Sequence, residues 1–163
     1  MDDRPDGEKG PRTPTPRDLE RIARSLNGLG CRYAVIGGFA MLHYGFARPT
    51  QDIDLLIDAT PANVDRVRTA LSILADHASL EVAPDDLQTY AVVRIADEIV
   101  IDLLGSACGI TFGDIETRLE YERVGGTEIP FAGPRDLFQT KASIRPKDAM
   151  DRDFLARLLS EES

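Results

Sequence analysis

The segment that decides the fold is residues 35–57, which read VIGGFAMLHYGFARPTQDIDLLI. An apolar run typical of a buried strand opens it and stops at the pair Gly37-Gly38. A short helix is predicted over residues 39–44, and a second apolar strand is predicted over residues 52–57. The order strand, glycine pair, helix and strand indicates that helices and strands share one folded unit.

Two aspartates, Asp52 and Asp54, open the second strand. Side chains alternate along a strand, so both carboxylates project from one face while Ile53 and Leu55 point into the core. Neighbouring carboxylates repel each other, which raises the pKa of both and favours a bound cation. Oxygen ligands without a nearby His or Cys suit Mg²⁺ or Mn²⁺. The spacing alone also fits an alternative in which Asp52 caps the preceding turn and Asp54 is a solvated strand end.

The glycine pair lies where a strand ends and a helix begins. Glycines at such a junction allow backbone N–H groups to approach a phosphate, and a helix N-terminus favours negative charge. The pair by itself also fits a tight strand-to-helix turn. Thirteen residues separate Gly38 from Asp52, and the two elements together predict a phosphate cradle beside a metal site.

A third acid, Asp102, lies inside the apolar run Val100–Leu104. Burying an acid is costly unless it is paired or binds a metal, so Asp102 is a candidate third ligand. The alternative is an aspartate at a strand end that accepts hydrogen bonds from backbone amides.

Around these motifs the sequence predicts an α+β fold with a mixed β-sheet of four to six strands flanked by helices. Residues 1–16 contain four prolines and seven charges and are expected to form a disordered N-terminal tail, leaving a single domain over residues 17–163. Further predicted helices cover residues 16–27, 60–75, 113–120, 134–143 and 147–160. Further predicted strands cover residues 32–36, 79–83, 89–95 and 98–104, with a hairpin over 122–128.

The composition excludes several classes of protein. Asp and Glu number 28 against 19 Lys and Arg, and the net charge of −9 argues against a broad nucleic-acid-coating protein. No apolar run approaches the roughly 20 residues of a membrane span, so no membrane association is expected. The two cysteines, Cys31 and Cys108, form no zinc motif and are expected to be reduced thiols of a cytoplasmic protein.

These motifs resemble the DNA polymerase β-like nucleotidyltransferase superfamily. Its signature is an apolar strand ending in Gly-Gly or Gly-Ser, an Asp-x-Asp about a dozen residues later, and a further carboxylate from a later strand. The form Arg48-x-Thr50-x-Asp52-x-Asp54 is similar to AbiEii-type nucleotidyltransferases of toxin–antitoxin and abortive-infection systems, and to aminoglycoside and lincosamide nucleotidyltransferases. A second match lies near the C-terminus. The pattern there resembles the segment that closes many AbiEii-like domains and reads Leu137-x₃-Lys141-x₃-Arg145-x-Lys147-Asp148-x₂-Asp151.

The resemblance implies a nucleotidyltransferase that uses Mg²⁺ or Mn²⁺ to move an NMP from an NTP to a hydroxyl acceptor, with release of pyrophosphate. The implied catalytic and metal-binding residues are Asp52, Asp54 and Asp102. The implied nucleotide-binding residues are Gly37, Gly38, Arg48 and Lys141.

Three C-terminal residues retain other interpretations. Lys141 also fits an exposed surface lysine with its aliphatic stem on the protein. Asp148 and Asp151 share one helix face and either favour the positive helix N-terminus or form a salt bridge with Arg48 or Lys141.

The acceptor stays open at this stage. The AbiEii-like resemblance implies RNA, tRNA or a protein, whereas the antibiotic-modifying relatives imply a small hydroxylated molecule. The chain is close to the length of a minimal catalytic domain, which favours a homodimer or a partner protein. The alternatives from other classes are a non-catalytic NTP-binding antitoxin or regulatory module, and a structural domain with coincidental acids.

Overall fold

The computed structural model describes residues 10–143 and 145–161. The helices are α1 (Pro16–Gly28), α2 (Gly37–His43), α3 (Pro61–Leu71), α4 (Asp86–Thr89), α5 (Phe112–Ile115), α6 (Pro134–Thr140) and α7 (Pro146–Glu161). The strands are β1 (Tyr33–Ile36), β2 (Asp52–Ile57), β3 (Val92–Ala96), β4 (Val100–Leu104), β5 (Ser106–Ala107), β6 (Ile110–Thr111), β7 (Glu120–Val124) and β8 (Thr127–Phe131).

Six of these strands form one mixed sheet in the order β3-β4-β2-β1-β8-β7. The pairs β2–β4 and β1–β8 are parallel, and the other pairs are antiparallel. This arrangement confirms the predicted α+β fold and places the two strands that carry the candidate acids side by side. A separate two-stranded hairpin, β5–β6, was not predicted from the sequence.

The core follows the alternation seen in the sequence. On β2 and β4 the residues Ile53, Leu55, Ile101 and Leu103 are fully buried, while the aspartates between them face the opposite side of the sheet. Burying each such side chain stabilises the fold by roughly 1.5–3 kcal/mol. The core packing on the opposite face therefore fixes the two strands that carry the aspartates.

The strand predicted over residues 79–83 is wrong. A 3-10 helix occupies Ala78–Glu81, and the preceding residue His77 has a left-handed φ of 54°. The buried carboxylate of Asp97 accepts hydrogen bonds from the amides of Asp76 and Ala78 at 2.9 and 2.8 Å. These bonds curl the chain and prevent it from extending along the sheet.

Part of the predicted N-terminal tail, residues 1–9, lies outside the described residues. Beyond it, the amide of Arg12 donates to the carbonyl of Glu98 at 3.0 Å, and its guanidinium donates twice to Asp18 at 2.7 Å. Thr15 and Asp18 then form a capping box that begins α1.

No helix within residues 10–143 and 145–161 is both long enough and apolar enough to cross a bilayer.

Candidate active site

Three carboxylates meet on one face of the central strands. Asp54 on β2 lies directly beside Asp102 on β4 in the parallel register, and Asp52 lies two residues earlier on the same face. One ligand atom from each acid falls within 4.8 Å of those of the other two. The structure thus brings together the three acids that the sequence singled out.

The electrostatics of this carboxylate cluster favour a bound cation. Burial, followed by the charges of Asp52 and Asp102, raises the pKa of Asp54 to about 7. Burial and the charge of Asp102 also raise the pKa of Asp52. Three acids on one partly buried face repel each other, so a cation placed among them lowers the free energy of the charged forms.

Arg94 is a site residue that the sequence analysis missed. It lies on β3 opposite Asp102, and its Nε and Nη2 donate to the two oxygens of that carboxylate at 2.9 and 3.0 Å. Its Nη2 also donates to Asp52 Oδ2 at 3.1 Å. One guanidinium therefore partly neutralises two acids of the cluster.

The two glycines are explained by close approach. Gly37 has a φ of +69°, and a Cβ at that position would lie 2.0 Å from Asp54 Oδ2. A Cβ on Gly38 would lie 2.3 Å from Thr50 Oγ1. A side chain at Gly37 would displace the carboxylate of Asp54, and one at Gly38 would displace the side chain of Thr50, so Gly37 is needed to keep Asp54 in the cluster.

A cleft of about 500 Å³ opens over the cluster. Its walls come from the β1–α2 junction, the lead-in to β2, strands β3 and β4, and the start of α7. Five of its lining residues are cationic: Arg48, Arg94, Lys141, Arg145 and Lys147. The cleft thus combines a floor of carboxylates with walls of positive charge, a combination suited to a polyphosphate held through a divalent cation.

Arg48 and Lys141, which were predicted to contact the nucleotide, both pair with Asp151. Arg48 Nε and Nη2 donate to the two oxygens of Asp151 at 2.9 and 2.8 Å. Lys141 Nζ lies 3.0 Å from Asp151 Oδ2 and is buried, so the surface-lysine interpretation is wrong. The salt-bridge interpretation of Asp151 is confirmed.

The same region fixes the lead-in to β2. The Phe46 and Phe154 rings are stacked with centroids 5.0 Å apart, which adds an apolar contact to the pair between Arg48 and Asp151. Asp148 lies on the same face of α7 and accepts from Arg145 Nε at 2.9 Å and from Ser143 Oγ. Burial acts to raise the pKa of Asp148, but these bonds outweigh it and the pKa is lowered.

The donor set fits a hard divalent cation. It consists of carboxylate oxygens on two adjacent strands, and Mg²⁺ and Mn²⁺ prefer such ligands. Phosphate oxygens of a bound substrate would complete the coordination, as is usual for Mg²⁺ in proteins.

One comparison with known proteins shows the family of this chain. The sequence matches the family described as nucleotidyl transferase AbiEii toxin, type IV toxin–antitoxin system, over residues 17–162. No curated protein matches the chain.

Two solved structures share the fold. A Thermotoga maritima protein assigned as a nucleotidyltransferase is 16% identical, with a TM-score of 0.54 over 89% of this chain and 92% of its own. An antigenic nucleotidyltransferase-like protein from Paracoccidioides brasiliensis is 15% identical, with a TM-score of 0.51 over 88% of this chain and 78% of its own. The fold agreement is independent of the family match. Because that match spans nearly the whole sequence, the chain belongs to the AbiEii nucleotidyl transferase toxin family and is a nucleotidyltransferase.

Proposed function

We propose that this protein is a divalent-metal-dependent enzyme that transfers an NMP from an NTP to a hydroxyl acceptor and releases pyrophosphate. The observation that carries the proposal is the convergence of Asp52, Asp54 and Asp102 on one face of two parallel strands, under a cationic cleft. A structural domain with coincidental acids has no need to gather three repelling carboxylates beside a cavity.

In this proposal Asp52, Asp54 and Asp102 hold Mg²⁺ or Mn²⁺. The metal supplies charge stabilisation at the attacking and leaving oxygens of the in-line displacement. The carboxylates themselves position the reacting groups, and the apolar residues behind β2 and β4 keep them in place. Positioning and charge neutralisation are the main contributions of proteins to phosphoryl transfer.

The NTP is proposed to lie in the cleft with its phosphates toward the β1–α2 junction. Gly37 and Gly38 line the cleft there and leave room for backbone N–H groups to meet the β- and γ-phosphates. Lys147 and Arg145 line the same cleft from α7 and the turn before it. Arg48 and Lys141 pair with the buried carboxylate of Asp151, and we propose that these pairs fix the two cations in the wall of the cleft.

The acceptor hydroxyl is proposed to attack the α-phosphorus. Its proton passes to Asp102, the bond from the α-phosphorus to the bridging oxygen breaks, and pyrophosphate leaves. Asp102 suits this role because its carboxylate belongs to the cluster and is held by the β4 register against Asp54. We propose a cytoplasmic location, where NTP is available and free cysteines such as Cys31 and Cys108 stay reduced.

The family description supports a setting in a toxin–antitoxin system, and RNA, including tRNA, or a protein is the acceptor we propose. We also propose that a second copy of the chain or a partner protein completes the recognition of the acceptor.

The test is transfer of label from each of the four α-labelled NTPs, with Mg²⁺, into a whole-cell lysate resolved into RNA, protein and small-molecule fractions. Asp52→Asn is the inactive variant, and Asp153→Asn, an exposed acid on α7, is the matched control. Label in the RNA or protein fraction that Asp52→Asn loses and Asp153→Asn keeps supports the proposal. Label confined to small molecules would assign an antibiotic-type acceptor. No label from protein that binds NTP would overturn catalysis in favour of an NTP-binding regulatory module.

A further inference from the structure

Arg94 occupies the oxygens that a metal would need. Both oxygens of Asp102 and one oxygen of Asp52 accept hydrogen bonds from its guanidinium at 2.9–3.1 Å. A divalent cation held by the same acids would share these oxygens and would repel the guanidinium at close range. Arg94 and the metal are therefore competitors for one set of ligands.

The side chain of Arg94 lies on the solvent side of the cluster and is free to move away from it. Its side chain is 61% exposed, whereas the side chains of Asp102 and Asp52 are 10% and 23% exposed. The guanidinium thus covers the cluster from the solvent side, and it can return to water without breaking into the core. The carboxylates, which are held in the sheet, have no equivalent freedom.

A second cavity beside the cluster has space for the Arg94 side chain after its displacement. This cavity of about 230 Å³ adjoins the main cleft, and both are lined by Asp52 and Arg94. Its far wall is the N-terminal segment 11–13, which is fixed by the Arg12 amide bonded to Glu98. Arg94 stands at the boundary between the two cavities, so its movement would join them over the carboxylates.

We propose that Arg94 is a displaceable counter-cation, which neutralises Asp52 and Asp102 in the metal-free enzyme and moves toward the smaller cavity when the divalent ion binds. The inference rests on the metal site of the proposed function. It assigns Arg94 as a positioning residue, because its guanidinium offsets the repulsion between Asp52 and Asp102 until the ion binds them.

The molecule contains a matched ion pair away from the cluster. Arg118 donates through Nε and Nη2 to the two oxygens of Asp136 at 3.0 Å, and the two side chains are 57% and 11% exposed. These values nearly equal those of the pair between Arg94 and Asp102. Asp136 is not part of the carboxylate cluster, so metal should leave the Arg118 pair unchanged.

The direct test is the ¹⁵Nε–¹Hε spectrum of the arginines of the full chain during a Mg²⁺ titration from EDTA. Arg94→Met and Arg118→Met assign the two resonances. We expect the Arg94 resonance to move from a hydrogen-bonded to a solvated position, and the Arg118 resonance to stay. An Arg94 resonance that does not respond to saturating Mg²⁺ would overturn the inference.

Affinity for Mn²⁺, measured by calorimetry, provides the second readout. Arg94→Met should bind Mn²⁺ about tenfold more tightly than the wild type, a difference of about 1.4 kcal/mol. Arg118→Met should leave affinity unchanged, and Lys147→Met, which removes a charge that acts on the cluster through space, should tighten binding less than Arg94→Met. Unchanged or weaker binding in Arg94→Met would contradict the competition.

Melting temperatures distinguish displacement of Arg94 by the metal ion from a purely structural role of Arg94. Arg94→Met should melt about 3 °C below the wild type in EDTA, and the difference should vanish in saturating Mg²⁺. Any decrease in the melting temperature of Arg118→Met should be the same in EDTA and in saturating Mg²⁺. If neither the wild type nor Arg94→Met binds Mn²⁺, the metal site and the inference both fail. If the wild type binds Mn²⁺ while Arg94 stays in place, only the inference fails.

Discussion

Two pairs of aspartates in this protein have opposite surroundings. Asp52 and Asp54 lie two residues apart on β2 at the floor of the cleft, and burial together with neighbouring acids raises the pKa of each. Asp148 and Asp151 lie three residues apart on α7 and are fully buried. The helix pair is surrounded by cations, and hydrogen bonds outweigh burial to lower the pKa of Asp148.

The two pairs differ in whether the protein itself compensates their charge. On α7, Asp151 pairs with Arg48 and Lys141, so its charge is compensated by the protein itself. On β2, Asp54 lacks a hydrogen-bonded cation among the described residues, and Arg94 only partly neutralises its neighbours. An acid whose charge the protein leaves incompletely compensated is a better candidate for binding a cation from solution.

The largest effect on stability is expected for Asp151→Asn. The change would leave the mostly buried cations of Arg48 and Lys141 without their shared carboxylate. Removing one partner of a buried ion pair costs about 3–5 kcal/mol, which urea unfolding would measure. The exposed Asp153→Asn on the same helix is the control and should change stability by less than about 0.5 kcal/mol. A loss of similar size in both variants would show that the buried pairing contributes little.

A smaller effect of opposite sign is expected for Asp54→Asn in EDTA. The pKa of Asp54 is about 7 in the folded chain and near 3.8 in the unfolded chain, so its ionisation penalises folding. That penalty is absent below pH 3.8, grows as pH rises, and is fully present above pH 7. Asp54→Asn removes it and should be more stable than the wild type by on the order of 2 kcal/mol at pH 8. This is about half of the roughly 4 kcal/mol that three pKa units correspond to, because burying the new amide group also costs free energy.

The stability difference between Asp54→Asn and the wild type should shrink toward zero at pH 4. Thermal unfolding of both proteins at each pH cancels the contributions of titrating groups outside the cluster, so the difference reports on Asp54 and on its repulsion of Asp52 and Asp102. An Asp54→Asn variant that is less stable than the wild type at pH 8 would place Asp54 among the structural acids.

The convergence of the three acids was predictable in part from local alternation. Alternation along β2 predicted that Asp52 and Asp54 share a face, and the apolar run around Asp102 indicated a buried strand. The expectation that Asp102 joins the other two acids came from the family resemblance. The parallel register that sets Asp54 beside Asp102 was beyond the sequence pattern, since it is decided by how the whole sheet packs.

Arg94 was missed because of strand register. A two-residue turn at Ala96-Asp97 would have paired Arg94 with Ile99. The observed turn lies at 97–99, pairs Ala96 with Val100, and sets Arg94 opposite Asp102. The signal was present in the alternation of β3, but only the correct turn length would have revealed it.

The pairing of Arg48 and Lys141 with Asp151 could not be settled from the sequence, because Arg48 and Asp151 lie far apart in it. Arg48 and Asp151 are separated by 103 positions, and nothing local shows that they meet. Both Arg48 and Lys141 line the cleft, and their pairing with the buried Asp151 is the contact that the sequence could not show. Nucleotide binding by Arg48 and Lys141 stays a prediction.

The most direct test of the central claim compares label transfer by Asp102→Asn and Asp151→Asn, at a temperature at which both are folded and with Mg²⁺ in excess. If the strand acids perform the chemistry, Asp102→Asn should be folded and lose transfer by about 1,000-fold or more, equivalent to several kcal/mol of transition-state stabilisation. Asp151→Asn should lose far less transfer, because its carboxylate positions Arg48 and Lys141 at the cleft wall and takes no part in the chemistry. Transfer near the wild-type rate in Asp102→Asn would contradict the assignment of the carboxylate cluster as the catalytic site.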